Sequence, residues 1–261
     1  MPDDSFRTIR ALLSSTKPEE IRKGLDLAAI EITKLGASES APLFEMITTL
    51  FYIDVLDRPE LAPVVDYAIN LAVGFGPWIL PMLIERLDAG DIKAQWAVAH
   101  VLGRIGPASI DPMMKAYEAT DDLTLRAFIM YALGKIKSHE IGKAIGMACD
   151  AARSPHLELR DTATRALGKF AELIPAGMLP DEAKQMMIKC LHDNLSDANA
   201  SVRAKAIRSL GKLAKFRHMT KSERDRLRSS CESILGSDEK GEWDRAFIVR
   251  KEAEEAISHS D

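Results

Sequence analysis

The chain has 261 residues, a formal net charge of −4, 46% hydrophobic and 28% charged residues, and only 6% aromatics. That length and balance supply a buried core as well as a solvated surface and exclude a disordered polymer. Ala, Leu, Ile and Met carry the hydrophobic share, with few runs of aromatic and β-branched residues, which disfavours a β-rich protein and points to an all-α one.

In chain order, Met1-Pro2-Asp3-Asp4 lacks the positive region and apolar stretch of a secretory signal, so a cytoplasmic location is expected, with residues 1–5 frayed. The window Leu61 to Ile84 carries one charge, Asp66, but is broken by Pro63, by Gly74-Phe75-Gly76-Pro77 and by Pro81. Those breaks predict two buried helices joined by a turn and no membrane span. Four segments then align without gaps, Ala94–Gly103, Leu125–Gly134, Leu159–Gly168 and Val202–Gly211, each closing on Leu-Gly. Looser copies begin at Ile21, Val65 and Val249, so successive anchors lie 44, 29, 31, 34, 43 and 47 residues apart. Such spacing suits stacked supersecondary units with loops of variable length.

Within a unit the apolar residues fall at the anchor and four, eight and eleven positions beyond it, as in Val202, Ala206, Leu210 and Leu213. On a helix these positions cover about 80° of arc, a single stripe. A second apolar helical segment precedes most anchors: Pro77 to Leu87, Asp111 to Tyr117, Ile141 to Ala151, Glu182 to Leu191 and Lys221 to Leu235. Each unit is therefore a helical hairpin that must stack on its neighbours to hide its apolar faces. Thr220-Lys-Ser-Glu223 reads as a capping box and Gly236 as the matching stop. Loop insertions are expected at Ile174–Pro180 and Gly236–Glu242.

The pairs Leu125-Arg126, Leu159-Arg160 and Val202-Arg203, each followed by Leu-Gly, together with Asp197 ahead of the sixth anchor, resemble the HEAT family, in particular the short repeats of bilin-lyase type. The resemblance covers nearly the whole chain and implies a right-handed α-solenoid of about seven hairpins, a single domain over residues 1–261. It also implies that the second helix of each hairpin lines the concave face and that Asp and Arg form a ladder between repeats. At Val65-Asp66 and Ala94-Gln95 the ladder arginine is missing.

Di-iron hydroxylases of HEAT type carry repeated His-Glu pairs, whereas this sequence has one, His139-Glu140, at an expected loop. The other histidines, His100, His156, His192, His218 and His259, lack the i, i+4 pairing of a metal-binding helix. Cys149, Cys190 and Cys231 have neither CxxC spacing nor an even count, so they read as structural thiols. Trp96 and Asp161, two positions past their anchors, only thinly resemble a DNA-repair glycosylase groove. No phosphate-binding Gly-rich loop or nucleophile elbow is encoded, and a non-enzyme without metal or cofactor is expected.

Charge is more informative than its net value. Residues 1–100 hold 9 basic and 15 acidic groups, but residues 201–230 hold 10 and 2. Positions six and ten past the anchor lie one turn apart, off the apolar stripe, and read His100/Arg104, Tyr131/Lys135, Arg165/Lys169 and Arg208/Lys212 in four successive repeats. With helices spaced as usual, these pairs would form a basic ridge on the order of 30 Å long. The expected function is a protein–protein interaction scaffold that binds an acidic partner on this ridge. Nucleic-acid binding through the same residues is the alternative, and an accessory or lyase-type role toward a tetrapyrrole-bearing partner is a third. Phe44, Phe51, Tyr52, Phe75 and Trp78 in the acidic N-terminal repeats are expected to be exposed and to supply a second contact or an oligomer interface.

Overall fold

The computed structural model describes residues 2–35, 38–88, 90–239 and 241–259. Met1 of the expected frayed start and Lys240 of the Gly236–Glu242 insertion lie outside them. The described residues are helical, without a strand, and divide into two compact units, residues 1–116 and 117–261.

In the first unit, α1 (Pro2–Leu13) pairs with α2 (Pro18–Leu35), α3 (Ala41–Thr48) with α4 (Ala62–Gly74), and α5 (Leu80–Glu85) with α6 (Ile92–Ile105). Helices α2, α4 and α6 lie side by side as one layer. Helix α1 begins at Pro2, inside the start expected to fray. The apolar window does form two helical segments, Pro59–Gly74 and Pro77–Asp88, bent by 101° at the break. Gly76, at φ +80°, takes a backbone conformation closed to most side chains and makes that bend. No single described helix is long and apolar enough to cross a membrane.

This unit is packed with aromatic rings. Phe44 and Phe75 meet edge to face with centroids 5.5 Å apart, and Trp78 meets Phe75 at 6.0 Å. Phe44, Phe51 and Phe75 are buried, which corrects the expectation that they are surface residues; Tyr52, half exposed, is the one that fits it. The reason is the short, irregular first helices. Single-turn 3-10 segments extend α3 and α5 at their ends, and large side chains fill the space that a regular helix–helix contact would close.

Helix α7 (Ile110–Ala119) carries the chain into the second unit. There α8 (Leu123–Leu133), α10 (Leu157–Leu173), α12 (Ala200–Lys215) and α14 (Phe247–Ile257) pack successively side by side. Helices α9 (Ile145–Ala151), α11 (Asp181–Asp193) and α13 (Lys221–Leu235) each back onto the following member of that layer. The stripe residues Val202, Ala206, Leu210 and Leu213 are fully buried, as are Ile129, Leu133 and Ile136. Side-chain caps fix the starts: Asp122 accepts from the backbone of Thr124 and Leu125, and Asn199 from Ser201. The Thr220–Glu223 capping box forms in both directions, and α13 ends on Gly236 in the left-handed region.

The recurring Leu-Gly has a steric cause. A Cβ on Gly168 would lie 2.8 Å from Ser209 Cβ, and one on Gly211 would lie 3.2 Å from Ala256 Cβ, so α10, α12 and α14 approach one another through their glycines.

The arginine ladder joins repeats in this unit. Arg160 Nε donates to Asp197 at 2.6 Å and Nη1 to the Ser154 carbonyl at 2.8 Å. Arg203 repeats the pattern with Asp244 at 2.7 Å and the Asp197 carbonyl at 2.8 Å, and Arg250 reaches the Asp244 carbonyl at 2.6 Å. The same aspartates cap the turn before the next helix, accepting from the Asn199 and Ala246 amides. Ser154 and Thr120 occupy that turn position one and two repeats earlier, accepting from His156 and Asp122. A hydroxyl at position 154 offers Arg126 no carboxylate, and Arg126 bonds the Tyr117 carbonyl at 3.2 Å and lies over the Tyr117 ring.

Candidate interaction groove

Helices α8, α10 and α12 and the turn after α8, which holds Lys135, carry six of the eight ridge residues, and the structure brings them together. Between α8 and α10 lies an open cavity of about 370 Å³, with Met130, Ile136, Ala166 and Leu173 on its floor and Tyr131, Lys135, Arg165 and Lys169 among its walls. A smaller cavity of about 140 Å³ sits between α10 and α12, over the Gly168–Ser209 crossing. Arg165, Lys169, Lys205, Arg208 and Lys212 surround it. A third, of about 290 Å³, continues toward α14, where Glu252 and Glu255 join Lys212 and Lys215. The two remaining ridge residues, His100 and Arg104, stand on α6 in the first unit, where Arg104 donates to Asn70 at 2.6 Å and Asp66 at 2.5 Å on α4.

Carboxylates hold most of these cations. Glu172 accepts from Lys212 at 2.5 Å and from Lys169 at 3.3 Å. Glu252, almost wholly buried on α14, receives the Arg208 guanidinium, and Asp161 receives Lys205. Arg165, exposed on α10, has no ion-pair or hydrogen-bond partner among the described residues. Lys135 stands over the Tyr131 ring, 4.7 Å from its centroid. Glu172 follows Lys169 by three residues, and Glu252 occupies the same repeat position, three past the anchor, as Lys205.

Electrostatics follow from this crowding. The hydrogen bond from Lys212 chiefly, then the charges of Lys212 and Lys169, hold Glu172 below the usual carboxylate range against the opposing effect of its burial. Lys212 itself lies below the ordinary lysine range, because burial outweighs the Glu172 bond and the Lys169 ammonium repels it. Glu252 raises Arg208 further above its already high range.

His139 and Glu140 are exposed, and no group of three or more His, Cys, Asp or Glu able to hold a metal occurs among the described residues. Cys149, Cys190 and Cys231 are free and buried; Cys149 on α9 and Cys190 on α11 meet, the Cys190 thiol donating to the Cys149 carbonyl at 3.5 Å, and Cys231 stands on α13. Trp96 is 44% exposed on α6, and Asp161 is engaged by Lys205.

Neither a protein-family model nor a curated protein sequence matches the chain. Solved structures do. Karyopherin Kap121p bound to Nup53p aligns at 12% identity over 100% of this chain and 29% of its own, with a TM-score of 0.69. The CpcE–CpcF complex of phycocyanin lyase from Nostoc sp. PCC7120 aligns at 20% identity over 68% of this chain and 97% of its own, with a TM-score of 0.55. An engineered protein from a structural-genomics consortium aligns at 19% identity over 98% and 96%, with a TM-score of 0.51. Karyopherin and the lyase proteins are HEAT-repeat solenoids, and the fold of this chain is of that all-α class. At these identities the likeness extends to the fold and no further.

Proposed function

We propose that this chain is a non-catalytic scaffold whose second unit engages an acidic segment of a protein partner along the α8–α10–α12 groove. The observation that carries the reading is the location of Arg165. It is an exposed guanidinium without a partner among the described residues, and it walls both an apolar-floored cavity and a cation-lined one. A solvated surface gains nothing from setting apolar volume beside unneutralised charge, whereas a peptide that alternates acidic and aliphatic side chains uses both. Tyr131 is the sole aromatic ring lining the two cavities that Arg165 walls and is covered by Lys135, so a row of stacking platforms for bases is not on offer there.

The test compares Lys135→Glu with Arg165→Glu, combined, against Lys189→Glu on the exposed face of α11. Partners retained by the parent chain from native lysate after crosslinking are identified, and the purified partner is then measured kinetically. The groove variant should slow association by about tenfold or more, with a steep dependence on salt, while circular dichroism stays unchanged. Equal binding by the two variants would reduce the groove to a solvated surface. Loss of nucleic-acid binding alone would move the function to the alternative reading.

A further inference from the structure

We propose that the small cavity at the crossing of α10 and α12 is a phosphoryl subsite, so that the acidic partner presents a phosphorylated serine or threonine there. The inference rests on the reading of the groove as a peptide site and names what that peptide must carry.

The geometry begins with Gly168. Because it lacks a side chain, α10 and α12 touch at Gly168 and Ser209. On α10, Arg165 precedes the crossing by three residues and Lys169 follows by one. On α12, Lys205, Arg208 and Lys212 lie four before, one before and three after Ser209. Those offsets place all five on the helix faces beside the contact, and all five line the same cavity of about 140 Å³. Five cations would not tolerate that spacing unaided. Asp161, Glu172 and Glu252 neutralise part of the charge and leave a net +2 at the crossing. A phosphomonoester carries close to two negative charges at neutral pH and three acceptor oxygens, whereas a carboxylate brings one charge and two. The free fork of Arg165 suits two of those oxygens, and the two lysines that share Glu172 have donor capacity left for the third. The depressed position of Lys212 agrees, since a dianion supplies the counter-charge that Glu172 must divide.

A phosphorylated peptide fits the surroundings better than a nucleic acid does. On one side the site adjoins the larger cavity, whose apolar floor of Met130, Ile136, Ala166 and Leu173 takes an aliphatic side chain a residue or two from the phosphate. On the other side Glu252 and Glu255 line the continuation, and they oppose a polyanion that runs on past the crossing.

The experiment uses the full chain, immobilised, and a degenerate library of acidic peptides with a central phosphoserine or phosphothreonine, beside the same library unphosphorylated. Phosphorylated peptides should be retained about tenfold or more over their counterparts, since one to three charge-assisted hydrogen bonds are gained. Inorganic phosphate at millimolar concentration should compete. Arg165→Gln and Lys212→Gln should each abolish the preference while circular dichroism stays unchanged, and Lys189→Gln should leave it intact. Arg208 is left unaltered because its loss would strand the buried Glu252 carboxylate. Equal retention of both libraries, with loss of both in the Arg165→Glu and Lys135→Glu variant, overturns the phosphoryl subsite but leaves the acidic-peptide groove standing. Retention of neither overturns both. Stronger retention of a single-stranded RNA of equal charge that depends on the same residues assigns the site to nucleic acid and overturns the inference.

Discussion

The two units repeat one hairpin but join its copies in different ways. In residues 117–261 the joints are ionic and regular, with Arg160 to Asp197, Arg203 to Asp244, and glycines where helices of the layer meet. In residues 1–116 the position after the anchor holds Arg22, Asp66 and Gln95; Arg22 lies over the Tyr67 ring, and buried rings occupy the space between irregular helices. Gln95 supplies a neutral substitute, donating to the Leu87 carbonyl at 2.7 Å across the turn of its own hairpin. Apolar filling, with scattered pairs such as Arg104–Asp66, Arg86–Glu45 and Lys93–Asp54, therefore joins these hairpins without the ladder. What the ladder adds is a fixed turn geometry, and the cationic cavities occur where helices are held at that even spacing.

The largest effect that would sharpen this contrast is Phe44→Ala. Truncating a fully buried ring that packs on Phe75 should cost about 3–5 kcal/mol. Hydrogen exchange read unit by unit should show the first unit loosened and the ladder helices α10 and α12 unchanged. Equal loosening of both would mean that the aromatic core does not belong to the first unit alone.

Acid should act mainly on the second unit. His192 on α11 is 9% exposed, and burial chiefly, with repulsion from Arg226, lowers it from 6.5 to about 4. The folded state thus favours the neutral ring. The stability this contributes is complete above pH 6.5 and drains away as pH falls from 6.5 toward 4, on the order of 3 kcal/mol in all. Denaturation midpoints measured across that interval should slope for the parent chain and flatten in His192→Gln. An unchanged slope would show that His192 is not the group that takes up the proton.

The ladder is the third target, with a smaller effect. Arg203→Gln leaves Asp244, whose side chain is 13% exposed, without its two guanidinium bonds and should cost about 1–3 kcal/mol. Gln95→Ala strands one carbonyl in the first unit and should cost about 1 kcal/mol. Burial pushes Asp244 upward, but the Arg203 bond, the Ala246 amide and the nearby arginine charges more than offset it and leave it below its ordinary value of 3.8. That share of stability is present above pH 3.8 and is lost as pH falls below it, so the gap between parent and Arg203→Gln should narrow in strong acid. Thermal melts at neutral pH and near pH 3 would measure it.

Much of this fold was legible because helical hairpins write their burial at fixed intervals. The anchors, the stripe at Val202, Ala206, Leu210 and Leu213, and the Thr220 cap all lie where the period placed them. The site was legible only in part. Repeat position identifies the face a lysine shares with its counterparts, but says nothing of what the adjacent helix sets against it, and so Glu172 and Glu252 went unread. Arg104 matches Lys135 in register, yet Asp66 and Asn70 occupy its guanidinium. The rings of Phe44, Phe51 and Phe75 were misread for a related reason. Phe44 and Phe51 sit in short helical segments broken by 3-10 turns, and Phe75 in the turn that follows α4, where no steady period marks an inside and an outside.

The ladder also sets rules for how such a chain can be lengthened or recombined. Each joint is written half in one repeat, as the arginine after the anchor, and half in the next, as the aspartate that opens the following turn. A repeat exchanged as one block therefore brings a half that must find its complement at either edge. Between Arg160 and Asp197, or Arg203 and Asp244, a foreign repeat that lacks either half leaves a charge without its match. Before Leu157 the requirement lapses, because Ser154 offers Arg126 no carboxylate. That turn is the seam at which an added repeat would be tolerated most readily, and the one from which the length of the molecule could have changed without disturbing the grammar of its neighbours.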